Sequence, residues 1–184
     1  LYYDDVYAQS QKYKVHGAES AFIKIWDEVF IKVKQFKASS ILDFGCGPGQ
    51  FAEFIQNKNN QLDYIGLDFS ANAIDFAKKK NPNYNFFNVS LPQENYSKFG
   101  RFDVVVCIEV LEHIENDLSV LKSIPAGTKL IMTVPNYDSF GHLRTFISQR
   151  EVRTRYNNFI DNMEIQPIKI SEKNIIWIFS GIRN

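Results

Sequence analysis

Ile41-Leu-Asp43-Phe-Gly45-Cys46-Gly47-Pro-Gly49-Gln50-Phe51 decides how this chain is read. An apolar run ends in an acid and then in glycines at every second position. Glycine lets a turn adopt positive φ and lets main chain approach a ligand where a Cβ would intrude. In nucleotide-binding α/β folds such a turn follows a strand and opens a helix. A dinucleotide fingerprint, G-x-G-x-x-G, would need its third glycine at the position of Gln50. Asp43 argues the same way, because a carboxylate at the strand end repels a pyrophosphate and suits a ligand bearing an ammonium group. The loop predicts a nucleoside-bearing ligand other than a dinucleotide.

Around this loop, strand-like runs at 40–44, 62–67, 84–89, 102–107 and 128–134 alternate with helical stretches near 49–58, 70–80 and 109–123. Such alternation predicts a doubly wound α/β fold with a mostly parallel sheet. Before it, Phe22, Ile25, Trp26, Val29, Phe30 and Val33 recur at helical spacing and predict a helix within 18–36. After it, the apolar stretches 165–170 and 175–182 flank Ser171-Glu-Lys-Asn174 and predict a terminal antiparallel hairpin. The expected organisation is an N-terminal lid or tail over 1–17 and one domain over 18–184, a size normal for a single domain.

Lys plus Arg and Asp plus Glu both total 21, so no net basic field draws in a polyanion, and nucleic acid is a disfavoured partner. No apolar run is long enough to span a bilayer, so membrane insertion is not expected. Cys46 in the glycine loop and Cys107 in an apolar strand predict reduced thiols in a cytoplasmic protein, and a monomer or homodimer is expected.

Two further motifs follow in order. Tyr64-Ile-Gly66-Leu67-Asp68-Phe69-Ser70 is an apolar run ending in an acid, 25 positions after Asp43. At the end of strand 2 a carboxylate can accept from both ribose hydroxyls, with Ser70 the better N-cap for the next helix and Phe69 placed to stack on a base. Phe102-Asp-Val-Val-Val-Cys107-Ile108-Glu109-Val-Leu-Glu112-His113-Ile114 reads as a buried strand running into a helix.

With Asp43, Gly45, Gly47, Gly49, Asp68 and the E-V-L-E-H-I run, the chain resembles the class I S-adenosylmethionine-dependent methyltransferases, nearest the ubiquinone-biosynthesis O-methyltransferase group. That resemblance implies a seven-stranded sheet in the order 3-2-1-4-5-7-6, ending in the hairpin. It implies S-adenosyl-L-methionine as cofactor and S-adenosyl-L-homocysteine as product. Cofactor contacts are then expected at Asp43, Gly45, Cys46, Gly47, Gly49, Asp68, Phe69 and Ile108. The family's acid for the adenine amino group is missing from Asn85-Phe-Phe-Asn88-Val-Ser90-Leu91, so Ser90, Asn88 or main chain near Leu91 takes that place.

The expected activity is methyl transfer to a small-molecule acceptor, at a hydroxyl oxygen ahead of a nitrogen. A [DN]-P-P-[YFW] signature of nitrogen methylation is absent; Cys107-Ile108-Glu109-Val110 stands there. In the loop after strand 5, Thr133-Val-Pro-Asn-Tyr137-Asp-Ser-Phe-Gly-His142-Leu-Arg144, His142 is the candidate general base. Glu109 is the second catalytic candidate, placed to orient the nucleophile or meet the ligand's ammonium. Arg144 and the run Arg150–Tyr156 could meet an acidic acceptor, the run itself reading as an exposed charged helix. Glu112 and His113 read as a solvated or capping pair, and no metal is expected. The sharper alternative is an E-x-x-E-H metal cluster completed by His142, as in the small-RNA 2′-O-methyltransferases. A non-catalytic cofactor-binding module is the other alternative.

Overall fold

The computed structural model describes residues 22–59 and 61–184. Its elements in order are α1 (Ile23–Gln35), β1 (Ser40–Phe44), α2 (Gln50–Lys58), β2 (Asp63–Asp68), α3 (Ala71–Lys80), β3 (Asn85–Asn88), β4 (Val104–Ile108), α4 (Asp117–Ser123), β5 (Lys129–Pro135), α5 (Gln149–Tyr156), β6 (Ile160–Lys169) and β7 (Ile175–Arg183). The expected N-terminal lid lies outside the described residues.

The strands form one sheet in the order β3-β2-β1-β4-β5-β7-β6. Six strands run in one direction, and β7 alone runs antiparallel, between β5 and β6. This is the order and the terminal hairpin that the family resemblance implies. Alternation along each strand divides the core between two faces. Ile41, Tyr64, Val104 and Val106 pack with Trp26 of α1, Phe51 of α2 and Ile74 of α3. Leu42, Phe44, Val105 and Cys107 face the other way, against Val120 and Leu121 of α4 and Val152 and Tyr156 of α5. Two covered faces explain why β1 and β4 are continuous apolar runs in the sequence. On α1, Ile25, Trp26, Val29, Phe30 and Val33 are all buried, each contributing roughly 1.5–3 kcal/mol of transfer free energy.

Two elements differ from the sequence reading. The hairpin's first strand begins at Ile160, earlier than the apolar stretch 165–170, because β6 is the sheet's edge and alternates buried with exposed positions. Pro167 is tolerated there for the same reason. The expected helix over 109–123 is instead a left-handed residue, Glu109 (φ 55), a single 3-10 turn at Leu111–His113, and then α4 from Asp117. The turn puts Glu112 inside the protein.

Between β1 and β4 the order of connection reverses, and the chain exits both strands at one level, with Phe44 paired to Leu67 on one side and Cys107 on the other. A crevice at the carboxyl ends of strands is expected at this switch point.

Candidate active site

The crevice holds a cavity of about 540 Å³ whose walls include the glycine turn, Asp68, Phe69, Ser90, Leu91, Ile108, Glu109, Glu112, His113, Tyr137 and His142. Every cofactor and catalytic candidate named from the sequence lines it except Asn88 and Gly49, the latter one residue beyond Pro48 in the lining.

At the β1–β2 end the turn is shaped by its glycines. Gly45, Gly47 and Gly49 all have positive φ, and a Cβ on Gly45 would lie 2.4 Å from Val110 Cγ2. Gly49 caps α2, and its carbonyl accepts a bond of 3.0 Å from Asn81 Nδ2. Asp68 accepts from the Gly47 N–H and the Ser70 N–H, each at 2.9 Å, and so ties the turn to the end of β2. Ser70 is the N-cap of α3, its hydroxyl accepting from the Ala73 N–H at 3.2 Å. Phe69 is 42% exposed at the cavity wall. Asn88 does not turn to a base; its amide donates to the carbonyls of Asp68 and Phe69 at 3.1 and 2.7 Å.

Asp43 is buried and accepts a short hydrogen bond from the Tyr64 hydroxyl. Burial pushes its carboxyl up to about 7, the Tyr64 bond opposing and the nearby Asp68 charge adding to the rise. Cys46 lines the cavity, but its sulfur also packs on Gly66, where a Cβ would come within 2.8 Å. Burial holds its thiol well above the ordinary range, and Cys46 and Cys107 are both free cysteines.

At the β4–β5 end the sequence reading needs correction. Glu112 is fully buried, so it is no solvated surface acid, and neither carboxylate oxygen has a hydrogen-bond partner among the described residues. Burial drives its carboxyl well above the usual range, the Glu109 charge adding and Arg144 opposing. The His113 Nε2 lies 3.8 Å from Glu112 Oε1, and the two imidazole centroids of His113 and His142 are 4.8 Å apart. Each ring's Nδ1 faces a carbonyl, Gly141 for His113 at 2.9 Å and Tyr137 for His142 at 3.1 Å. A carbonyl only accepts, so Nδ1 carries the proton in both rings and Nε2 is the basic nitrogen. One ligand atom from each of Glu112, His113 and His142 falls within 4.8 Å of the others.

Glu109 is not one of that trio. Its carboxylate accepts from the Thr133 hydroxyl at 2.8 Å, and its N–H donates to the same oxygen at 2.9 Å. This bond pair holds a side chain at positive φ, a conformation that costs energy and clusters at functional sites. Arg144, expected to meet an acidic acceptor, points inward to the carbonyls of Leu111, Ile114 and Glu115. The run 149–156 is a helix, as read, but Val152 and Tyr156 are buried and Arg155 pairs with Asp117. Several wall residues were not singled out as site residues, Trp26, Val110 and Tyr137 among them. Trp26 carried no signal beyond the helical stripe that also makes it core. Val110 is apolar within an apolar run. Tyr137, whose hydroxyl is pushed up to about 12 by burial and the charges of Glu109 and Glu112, was visible only as an aromatic in the right loop.

Comparison with known proteins agrees with this fold. Residues 42–127 match the methyltransferase domain family. The ubiquinone biosynthesis O-methyltransferase, mitochondrial, of Schizosaccharomyces pombe is 32% identical over 92% of this chain and 66% of its own length. The ubiquinone biosynthesis O-methyltransferase of Coxiella burnetii is 28% identical over 63% of this chain and 52% of its own. The chain thus spans between about half and two thirds of the length of these curated relatives. Among solved structures, the methyltransferase domain of bacterial CtHen1 superposes with a TM-score of 0.67 at 19% identity, covering 88% of this chain and all of that one. The plantazolicin methyltransferase BpumL, in complex with S-adenosylhomocysteine, does so with a TM-score of 0.66 at 18% identity over 99% and 94%. These structures are alike in fold. The chain belongs to the class I S-adenosylmethionine-dependent methyltransferases. The cofactor of this family is S-adenosylmethionine, and the positive-φ glycine turn and the acid at the end of β2 are groups fitted to it. Among the described residues no helix is long and apolar enough to cross a membrane.

Proposed function

We propose that this chain transfers the methyl group of S-adenosylmethionine to a hydroxyl oxygen of a small-molecule acceptor. The observation that carries this reading is that one cavity runs from the glycine turn and Asp68 to a buried acid and two imidazoles. The cofactor, when bound, supplies a methyl group on a sulfonium, so the protein's work is to align, exclude water and remove a proton. Asp68 receives the ribose hydroxyls, Asp43 balances the ammonium, and Gly45, Cys46, Gly47 and Gly49 let main chain approach. Phe69, Ser90 and Leu91 flank the base, and Ile108 borders the methyl group. His142 Nε2 takes the acceptor's proton, with Glu112 and His113 grouped beside it. Glu109 orients the acceptor oxygen from the far side. An acceptor with an aromatic or otherwise apolar body is supported by Tyr137 in the wall and by Phe140, which lines the cavity and is 71% exposed.

A second reading, in which a divalent cation assists the deprotonation, is favoured by one observation. A buried carboxylate with two oxygens lacking partners costs several kcal/mol unless a proton or a cation compensates it. Glu112, His113 and His142 are the residues that would hold such an ion, a hard and imidazole-tolerant set suited to Mn²⁺, Zn²⁺ or Mg²⁺. The ion would lower the acidity barrier of the acceptor hydroxyl.

The test is transfer of a labelled methyl group from S-adenosylmethionine to phenols, catechols, primary amines and a short RNA, with and without chelator. Labelling of catechols or phenols is expected. Label confined to amines or RNA overturns the hydroxyl small-molecule reading, and tight cofactor binding without transfer to any class points to a binding module. Loss of activity with chelator, restored by Mn²⁺ or Mg²⁺, selects the cation-assisted version.

A further inference from the structure

The acid and imidazoles at the β4–β5 end sit on two loops that no strand pairing joins. Glu112 and His113 belong to the turn after β4; His142 belongs to the loop after β5. What fastens one to the other is a short series of bonds from residues 141–144. The Leu143 N–H donates to the Glu112 carbonyl at 2.8 Å, and His113 Nδ1 donates to the Gly141 carbonyl at 2.9 Å. Arg144 contributes most: its Nη1 donates to the carbonyls of Leu111 and Ile114, each at 2.6 Å, and its Nη2 to the Glu115 carbonyl at 2.9 Å. The guanidinium is held in turn by Asp117, 3.7 Å away, a buried acid that also accepts from Arg155 and Tyr156 of α5.

We propose that Arg144 is a positioning residue for the transfer step, clasping the turn after β4 to the loop after β5 so that Glu112, His113 and His142 converge. Arg144 does not itself line the cavity. The single 3-10 turn closes on the Leu111 carbonyl through the Ile114 N–H at 3.3 Å and leaves the carbonyls at 114 and 115 with no continuing helix to satisfy them, so Arg144 binds those two and shares the third. A planar fork of five donors can bind three of them at once, and a lysine ammonium has no such fork. The inference rests on the proposed function only in naming transfer as the step affected; the clasp itself is a matter of geometry.

The test compares Arg144→Ala and Arg144→Lys with the wild type, all saturated with S-adenosylhomocysteine. The nuclear Overhauser contact between the His113 and His142 ring protons reports the convergence directly and needs no acceptor. It is expected to vanish in Arg144→Ala and weaken in Arg144→Lys, while affinity for S-adenosylhomocysteine stays within about twofold in both. With catechol as acceptor, kcat is expected to fall about 100-fold in Arg144→Ala at unchanged KM for S-adenosylmethionine, a loss typical of a misplaced catalytic group. Added methylguanidinium should restore part of it. A wild-type ring contact in Arg144→Ala overturns the proposal. So does a loss of S-adenosylhomocysteine affinity that parallels the loss of rate, which marks a general structural role. Should Arg144→Ala fail to fold, Arg144→Lys decides: a wild-type contact and rate overturn the proposal, and a weakened contact at unchanged cofactor affinity supports it. If the wild type does not methylate catechol, the acceptor class fails, and the ring contact still decides the role of Arg144.

Discussion

At the β1–β2 end of the cavity, side chains are fastened to nearby main chain; at the β4–β5 end, side chains from separate loops are brought face to face. Asp68 bonds the N–H groups of Gly47 and Ser70, and Ser70 caps the helix that follows it. Each link is local or crosses between adjacent parallel strands. Glu112, His113 and His142 meet only because β4 and β5 pair and the loop after β5 folds back over the turn after β4. The first end is a shaped receptacle whose acid, Asp68, is satisfied by two main-chain N–H groups. The second holds a buried carboxylate with both oxygens lacking partners among the described residues, the state of a group awaiting a proton, a cation or a substrate.

If that contrast is sound, mutations at the two ends should separate rate from affinity. The largest effect is expected at the β4–β5 end: His142→Ala and Glu112→Gln should each lower kcat by about 10²–10⁴ and leave S-adenosylhomocysteine affinity nearly unchanged, measured by steady-state kinetics beside titration calorimetry. Affinity falling with the rate in either variant would mean that the two ends are one unit.

A smaller effect concerns Asp43, whose folded-state carboxyl is raised from 3.8 to about 7. A raised acid favours the folded state while protonated, so its contribution is complete below about pH 4 and is lost as pH climbs towards 7. Asp43→Asn carries no such loss. Denaturation in urea should therefore show the wild type falling behind the variant between about pH 4 and 7, by up to about 4 kcal/mol, and by a constant amount above. S-adenosylhomocysteine, through its ammonium group, should narrow the difference; a gap that ignores both pH and ligand would detach Asp43 from the cofactor.

Asp68→Ala leaves two backbone donors without their acceptor, and cofactor affinity should fall about 100-fold, equivalent to about 3 kcal/mol, with kcat at saturation little altered. Calorimetry decides, and unchanged binding would move the ribose site elsewhere. The smallest expected change is Ser70→Ala, which removes one N-cap bond and should cost about 1 kcal/mol of stability without touching the rate. A rate defect there would show that α3 sets the site rather than merely carrying its own cap.

The two ends also differed in how far they could be read in advance. The acid and glycines of 43–49 announce a turn because only particular residues tolerate positive φ, and Asp68 announces a strand end because the apolar run stops there. Glu109 to Ile114 gave the opposite result. Its pattern of acids and apolar residues is that of a helix start, yet Glu109 takes a left-handed conformation and the chain makes a tight turn. Nothing local distinguishes those outcomes. What selects the turn is the Thr133 hydroxyl on Glu109 and the carbonyl bonds from Leu143 and Arg144, contacts spanning 24 to 33 residues. The same contacts made Arg144, expected to meet an acidic acceptor, an internal tie.

The sequence by itself determined the class of fold, the strand order through its resemblance to a family, and the chemistry of the cofactor end. These rest on periodicity and on residue types whose backbone preferences act within a few positions. Only the tertiary structure decided that Glu112 is buried, that it stands beside two imidazoles with their Nε2 atoms basic, and that Glu109 is tied to Thr133. Burial of a charge and the convergence of three side chains depend on how distant loops close over one another, which no local preference encodes.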